Sequence, residues 1–231
     1  MKGSRLVLWD VDGTLVAAGD AGRTIYAAAF ERFAGRPLRA RAEMAGRTDP
    51  DILRDTLLAH GIAPADGSFE RFSELLAEEY ASRCDLLLTR GRALPGAGAA
   101  LAALAALDGT VQTVLTGNIR PVAHSKLTAF GLDAHLDLEV GAYGSDDAVR
   151  SNLIGLARRR AAARYGSRFD GRAAVVVGDT PHDVRAAVDA GAVCVAVATG
   201  GSTPAELAAA GAAAVLPDLA DTAAVLRALL A

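Results

Sequence analysis

Three short polar runs carry side chains suited to phosphoryl transfer: Asp10-Val11-Asp12-Gly13-Thr14, Thr116-Gly117-Asn118 and Gly178-Asp179-Thr180-Pro181-His182-Asp183. A carboxylate attacks an anionic phosphate poorly unless the charge around it is neutralised. Mg²⁺ favours oxygen ligands in an octahedron and commonly takes one or two carboxylates beside waters and phosphate oxygens. Asp10 and Asp179 can supply those carboxylates, and Asp10 so neutralised can attack phosphorus. Asp12, two residues on, is close enough to protonate the leaving oxygen and later to activate the water that releases phosphate. Gly13 allows close backbone approach, while Thr14, Thr116, Gly117 and Asn118 offer hydroxyl and amide donors to phosphate oxygens. A cation is needed on the side away from the metal. Lysine occurs only at Lys2 and Lys126, and Lys126 follows Thr116 at a distance its long stem can span.

Each run needs an element to hold it, and each follows an apolar stretch. Residues 5–9, 111–115 and 173–177 are short apolar runs of the kind that form buried strands. In open α/β sheets, ligands bind beyond the carboxyl ends of the strands, so neighbouring strands would bring all three runs to one rim. From residue 94 onward strands and helices alternate. Helices are expected at 121–130, 147–165, 182–190, 204–210 and from 220, with strands at 136–140 (the weakest), 193–197 and 213–216. That alternation predicts a Rossmann-like doubly wound parallel sheet. Residues 16–92 read otherwise, with helical spacing at 21–33, 51–60 and 68–84 and no strand signal. The expectation is an α/β core of residues 1–15 and 93–231, with an all-helical cap domain of residues 16–92 inserted after the first strand.

With these runs in hand, the chain resembles the haloacid dehalogenase superfamily, in the branch with a helical cap, and phosphoglycolate-phosphatase-like members most. The resemblance implies Asp10 as nucleophile and Asp12 as acid/base. It also implies Mg²⁺ held by Asp10, Asp179 and the Asp12 main-chain carbonyl, with Asp183 behind them and Thr116 on the phosphate. Many relatives carry a further lysine before the helix that precedes the fourth motif, where this chain has Ser145-Asp146-Asp147-Ala148-Val149-Arg150 and no lysine. Others carry it after the second motif, as Lys126 would be; Arg150 is the alternative. The run Gly46-Arg47-Thr48-Asp49 resembles the family's substrate loop, which makes Arg47 and Thr48, with Arg23, the candidate cap residues facing substrate.

Simpler roles exist for several of these residues. Asp183 suits the first turn of a helix, Asn118 suits a helix cap before Arg120-Pro121, and Asp146 and Asp147 read as helix-start residues. The reaction expected is Mg²⁺-dependent hydrolysis of a small phosphorylated metabolite through an aspartyl-phosphate. A phosphosugar mutase or a non-catalytic regulatory protein of the same fold are the alternatives. Asp12 argues against a dehalogenase, because halide leaves unprotonated.

Composition narrows the partners. The 231 residues carry 24 Lys+Arg against 27 Asp+Glu, which gives no basic footprint for nucleic acid or an anionic membrane. Asp10 and Asp12 interrupt the apolar run near the start, so no signal peptide is expected. Cys84 and Cys194 fit no disulfide or metal spacing, so a cytoplasmic protein is expected. Monomer and homodimer are both compatible with the sequence.

Overall fold

The structure, a computed structural model, describes residues 5–40, 42, 44 and 46–231. The chain opens with β1 (Arg5–Trp9) and passes through β2 (Val16–Ala17) into helices α1 (Gly19–Ala34), α2 (Asp49–Ala59), α3 (Ser68–Ser82) and α4 (Cys84–Arg90). It returns through β3 (Arg92–Ala93) to α5 (Ala97–Ala105), β4 (Thr110–Thr116), α6 (Arg120–Ala129), β5 (Ala142–Tyr143) and α7 (Arg150–Tyr165). The last part is β6 (Ala174–Gly178), α8 (Pro181–Asp189), β7 (Val193–Val197), α9 (Pro204–Ala209), β8 (Ala214–Leu216) and α10 (Thr222–Leu230). Six strands form one parallel sheet of order β5-β4-β1-β6-β7-β8.

The sheet is apolar on both faces, as a parallel sheet between two helical layers must be. Strand side chains alternate between faces. Val7 and Trp9 of β1 join Val175, Val177, Val195 and Val197 in one cluster, covered by α5, α6 and α10. Leu6 and Leu8 join Val176, Cys194 and Ala196 in the other, covered by α7, α8 and α9. The fold is therefore α/β, Rossmann-like and doubly wound.

Helices α1–α4 close a third cluster of their own around Ile25, Phe30, Leu53, Phe72, Leu76 and Leu87. It also takes in Ile119 and Val122, at the start of α6, both almost fully buried. Further along α6, Ala123 and Leu127 belong to the sheet core. One helix thus serves both regions, and Lys126 sits on it.

The structure corrects four expectations. Residues 136–140 are not a strand: the Asp137 N–H donates to the Gln112 carbonyl, and the Asp137 carbonyl accepts from Thr113. Their alternation reflects Leu136 and Leu138 packing on the core, while the edge strand is β5, two residues long. Helix α7 begins at Arg150 rather than 147, because the Asp147 carboxylate accepts the Val149 N–H at 2.7 Å and forms a turn there. Residues 16–92 are not purely helical, since β2 and β3 pair antiparallel where the chain leaves and re-enters the sheet region. The helical pattern at 68–84 is broken at Arg83 into α3 and α4.

Candidate active site

Strands β4, β1 and β6 are neighbours, so the residues after Trp9, Thr116 and Gly178 share one rim. Asp10 extends the pairing by donating its N–H to the Val177 carbonyl at 2.8 Å. Asp10, Asp179 and Asp183 are all buried, and their carboxylate oxygens lie within 4.8 Å of one another. Gly13 makes room for this arrangement: its φ is +81°, and a Cβ there would lie 2.4 Å from Asp179 Oδ2. Thr14 donates to Asp179 Oδ1 at 3.2 Å.

Arg150 answers two of the three acids from the start of α7. Its Nη2 donates to Asp10 Oδ1 at 2.8 Å and lies 2.5 Å from Asp183 Oδ1. Asp183 is further committed as a helix residue, because its Oδ2 accepts both the N–H and the hydroxyl of Thr180 in a reciprocal capping box. Its helix-start role and its place in the acidic cluster thus coexist. Burial raises the Asp10 carboxyl above its ordinary range; Arg150 opposes this, and Asp183 and Asp12 add to it. Asp179 is raised in the same way by burial and then by Asp10 and Asp183. Three buried carboxyl groups face one guanidinium, a surplus of acids that cannot all ionise without further positive charge. An arrangement of hard oxygen donors with that surplus fits a divalent cation, which would return these groups to their ionised form.

A second group of charges lies beside the first. Lys126 Nζ is 2.6 Å from Asp12 Oδ2 and 2.6 Å from Asn118 Oδ1, with the Tyr80 ring 5.5 Å away. Asn118 Nδ2 donates to Asp12 Oδ2 at 2.7 Å and to Thr116 Oγ1 at 2.9 Å. Asn118 does not cap α6; that position is Ile119. Burial works to deprotonate Lys126, but Asp12 and its other anionic neighbours outweigh it and raise the ammonium above its usual value. Asp49 enters this group from the cap: its Oδ2 accepts the Ile119 N–H at 2.7 Å. Burial raises its carboxyl to about 6, against the Ile119 N–H and Lys126.

The two groups wall a cavity of about 320 Å³. Asp10, Asp12, Gly13, Thr116, Gly117, Asn118, Lys126, Arg150 and Asp179 line its floor, and Arg23, Tyr26, Arg47, Ile52, Leu76 and Tyr80 line the cap side. Both candidate cations therefore reach the site, Lys126 on the Asp12 side and Arg150 on the Asp10 side. Thr14 and Thr48 lie outside the cavity wall; Thr48 donates to the Ala148 carbonyl at 3.4 Å. Arg47 lines the cavity while pairing with Asp55 at 2.6 Å. Sequence reasoning gave no role to Tyr80 and only a weak one to Asp49. A charged residue beside Pro50 reads as a helix start, and nothing local marks it as a core contact.

Among the described residues no helix is long and apolar enough to cross a membrane. No curated protein matches the chain by sequence. Among solved structures, a hydrolase from Pseudomonas syringae is similar over 97% of this chain and 98% of its own, at 24% identity and a TM-score of 0.69. A predicted phosphatase from Clostridium acetobutylicum matches at 17% identity, with TM-score 0.67, over 98% of this chain and all of its own (100%). A predicted phosphoglycolate phosphatase from Haemophilus somnus 129pt matches at 19% identity, with TM-score 0.65, over 97% and 98% of the two chains. At these identities the likeness is one of fold. The family model for haloacid dehalogenase-like hydrolases matches residues 7–187 and a second, HAD-hydrolase-like model matches 154–222. With most of its length matched by the first of these, the chain belongs to the haloacid dehalogenase-like hydrolase family.

Proposed function

We propose that the protein is a Mg²⁺-dependent phosphatase of small phosphorylated metabolites, acting through an aspartyl-phosphate on Asp10. One observation carries the reading: the buried Asp10, Asp179 and Asp183 carboxylates converge, and Asp10 and Asp179 line the floor of a small cavity closed by helices. A volume of about 320 Å³ sits at the small end for ligand pockets.

Asp10, Asp179 and the Asp12 main-chain carbonyl would hold Mg²⁺, which when bound supplies charge neutralisation between nucleophile and phosphate. Arg150 holds Asp10 by one oxygen and keeps Asp183 beneath it. The Asp10 carboxylate attacks phosphorus and the bond to the leaving oxygen breaks, with Asp12 passing a proton to that oxygen. Asp12 then takes a proton from water, the water oxygen attacks phosphorus, and inorganic phosphate leaves with Asp10 restored. Thr116, the Asn118 N–H and Lys126 face the non-bridging oxygens. Lys126 and Asn118 also fix the Asp12 carboxylate, so the acid/base group and the phosphate cradle are held by the same side chains.

The test is release of p-nitrophenol from p-nitrophenyl phosphate with and without Mg²⁺. Turnover should require the cation, and Asp10→Asn should lower kcat by about 10³-fold or more. Undiminished turnover in that variant, in protein free of host phosphatases, overturns the mechanism. With a sugar phosphate and its bisphosphate, free phosphate rather than isomerised product distinguishes hydrolysis from mutase chemistry.

A further inference from the structure

Residues 46–49 of the cap segment lie directly on the loop that follows β4. The Asp49 N–H donates to the Gly117 carbonyl at 2.8 Å, and Asp49 Oδ2 accepts the Ile119 N–H at 2.7 Å. A Cβ at Gly117 would lie 2.0 Å from the Arg47 carbonyl oxygen, so the loop admits the cap this closely only as glycine. Asp49 is buried.

These two bonds have a geometric consequence inside the loop. In a trans peptide the C=O and the following N–H point in opposite directions. With the Gly117 carbonyl turned to the cap by Asp49, the Asn118 N–H is turned the other way and donates to Thr116 Oγ1 at 3.3 Å, on a residue that lines the cavity beside Thr116. The next peptide is held at both ends: the Asn118 carbonyl accepts from the Gly144 N–H at 2.9 Å, and the Ile119 N–H goes to Asp49. One cap residue therefore fixes both peptides of the segment that carries the phosphate-side donors.

We infer that Asp49 is a positioning residue that aims the Asn118 N–H at the phosphate when the cap lies on the core, so that closure completes the phosphate site. The inference rests on the phosphatase reading above. Asp49 touches no reacting atom; it acts through the peptide planes of residues 117–119. The donor it aligns is of the kind whose loss costs transition-state stabilisation rather than substrate affinity.

The experiment compares wild type, Asp49→Ala and Asp49→Asn with p-nitrophenyl phosphate and Mg²⁺, together with amide hydrogen exchange at Asn118 and Ile119. Asp49→Ala should lower kcat about 10- to 100-fold, change KM less than threefold and speed exchange at Ile119. Asp49→Asn keeps an oxygen acceptor and should recover most of the lost kcat, with Ile119 again protected. A thermal melt with a single transition establishes that each variant is folded. Wild-type turnover that persists within twofold in folded Asp49→Ala overturns this inference alone, as does a loss that Asp49→Asn does not recover. Absence of any phosphomonoester turnover in the wild type overturns the phosphatase reading, and this inference with it.

Discussion

Asp10, Asp179 and Asp183 meet Arg150 wholly within the α/β region, on residues set by β1, β6, α7 and α8. Asp12 and Asn118 meet Lys126 one step along the same rim, where Asp49 and Tyr80 arrive from the helical insert. The first group holds more acids than its guanidinium can keep ionised. The second is nearer to balance, and its members hold one another by short hydrogen bonds. On the proposed function the contrast separates two tasks: the first group would be completed by a cation, and the second would stay in place while a substrate arrives. Burial gives both consequences weight, since a buried charge without a partner is costly while a buried pair with good geometry is rigid.

Removing a ligand from the first group should give the largest effect. Asp179→Asn takes one carboxylate from the proposed cation site, and the Mg²⁺ concentration for half-maximal turnover should rise by about 100-fold or more. An unchanged Mg²⁺ requirement would break the distinction between the groups. Next come the two cations. Arg150→Met strips the guanidinium that pairs with Asp10 and Asp183, so the cation-free protein should lose roughly 3 kcal/mol of stability in denaturant unfolding, largely recovered by Mg²⁺. Lys126→Met should instead leave the Mg²⁺ requirement near wild type and lower kcat by about 100-fold, through Asp12 and the phosphate oxygens. Equal behaviour of the two variants would erase the comparison.

The smallest effect concerns pH. Burial and repulsion raise Asp179 to about 8 and Asp10 in the same direction. A raised folded-state value contributes stability that is fully present below the unfolded value, about 4, and is lost as pH climbs through the folded one. Without divalent cations, Tm should therefore fall between pH 5 and 8.5. Saturating Mg²⁺ should shrink that fall, because it holds the same groups ionised at little cost. Thermal melts across that range, with and without the cation, check it; a fall unaffected by Mg²⁺ would place the strain elsewhere.

The first group was the more legible of the two. Asp10 and Asp179 end Val- and Leu-rich runs, and a polar residue at a strand's carboxyl end is a local signal. The order of the strands was not local, and the neighbouring of β4, β1 and β6 had to come from the fold. Arg150 stands seven residues beyond Tyr143, the end of a strand too short to show any periodicity, so its approach to Asp10 was hidden. The second group was legible only in part. Lys126 stood out because lysine is nearly absent, yet its pairing with Asp12 needs α6 to pass under the cap. Asp49 and Ile119 are 70 residues apart, and their bond depends on how one region docks on another. Residues 136–140 show the converse, an alternating pattern produced by two leucines packing sideways with no ladder partner.

Ile119 and Val122 belong to a helix and loop of the α/β region but are sealed within the apolar interior of the insert. Lifting the insert away would wet both side chains, at about 1.5–3 kcal/mol each. Such a penalty makes the uncovered form a rare visitor at equilibrium, so that on the proposed function the entry of substrate and the escape of phosphate would wait on these two residues coming loose.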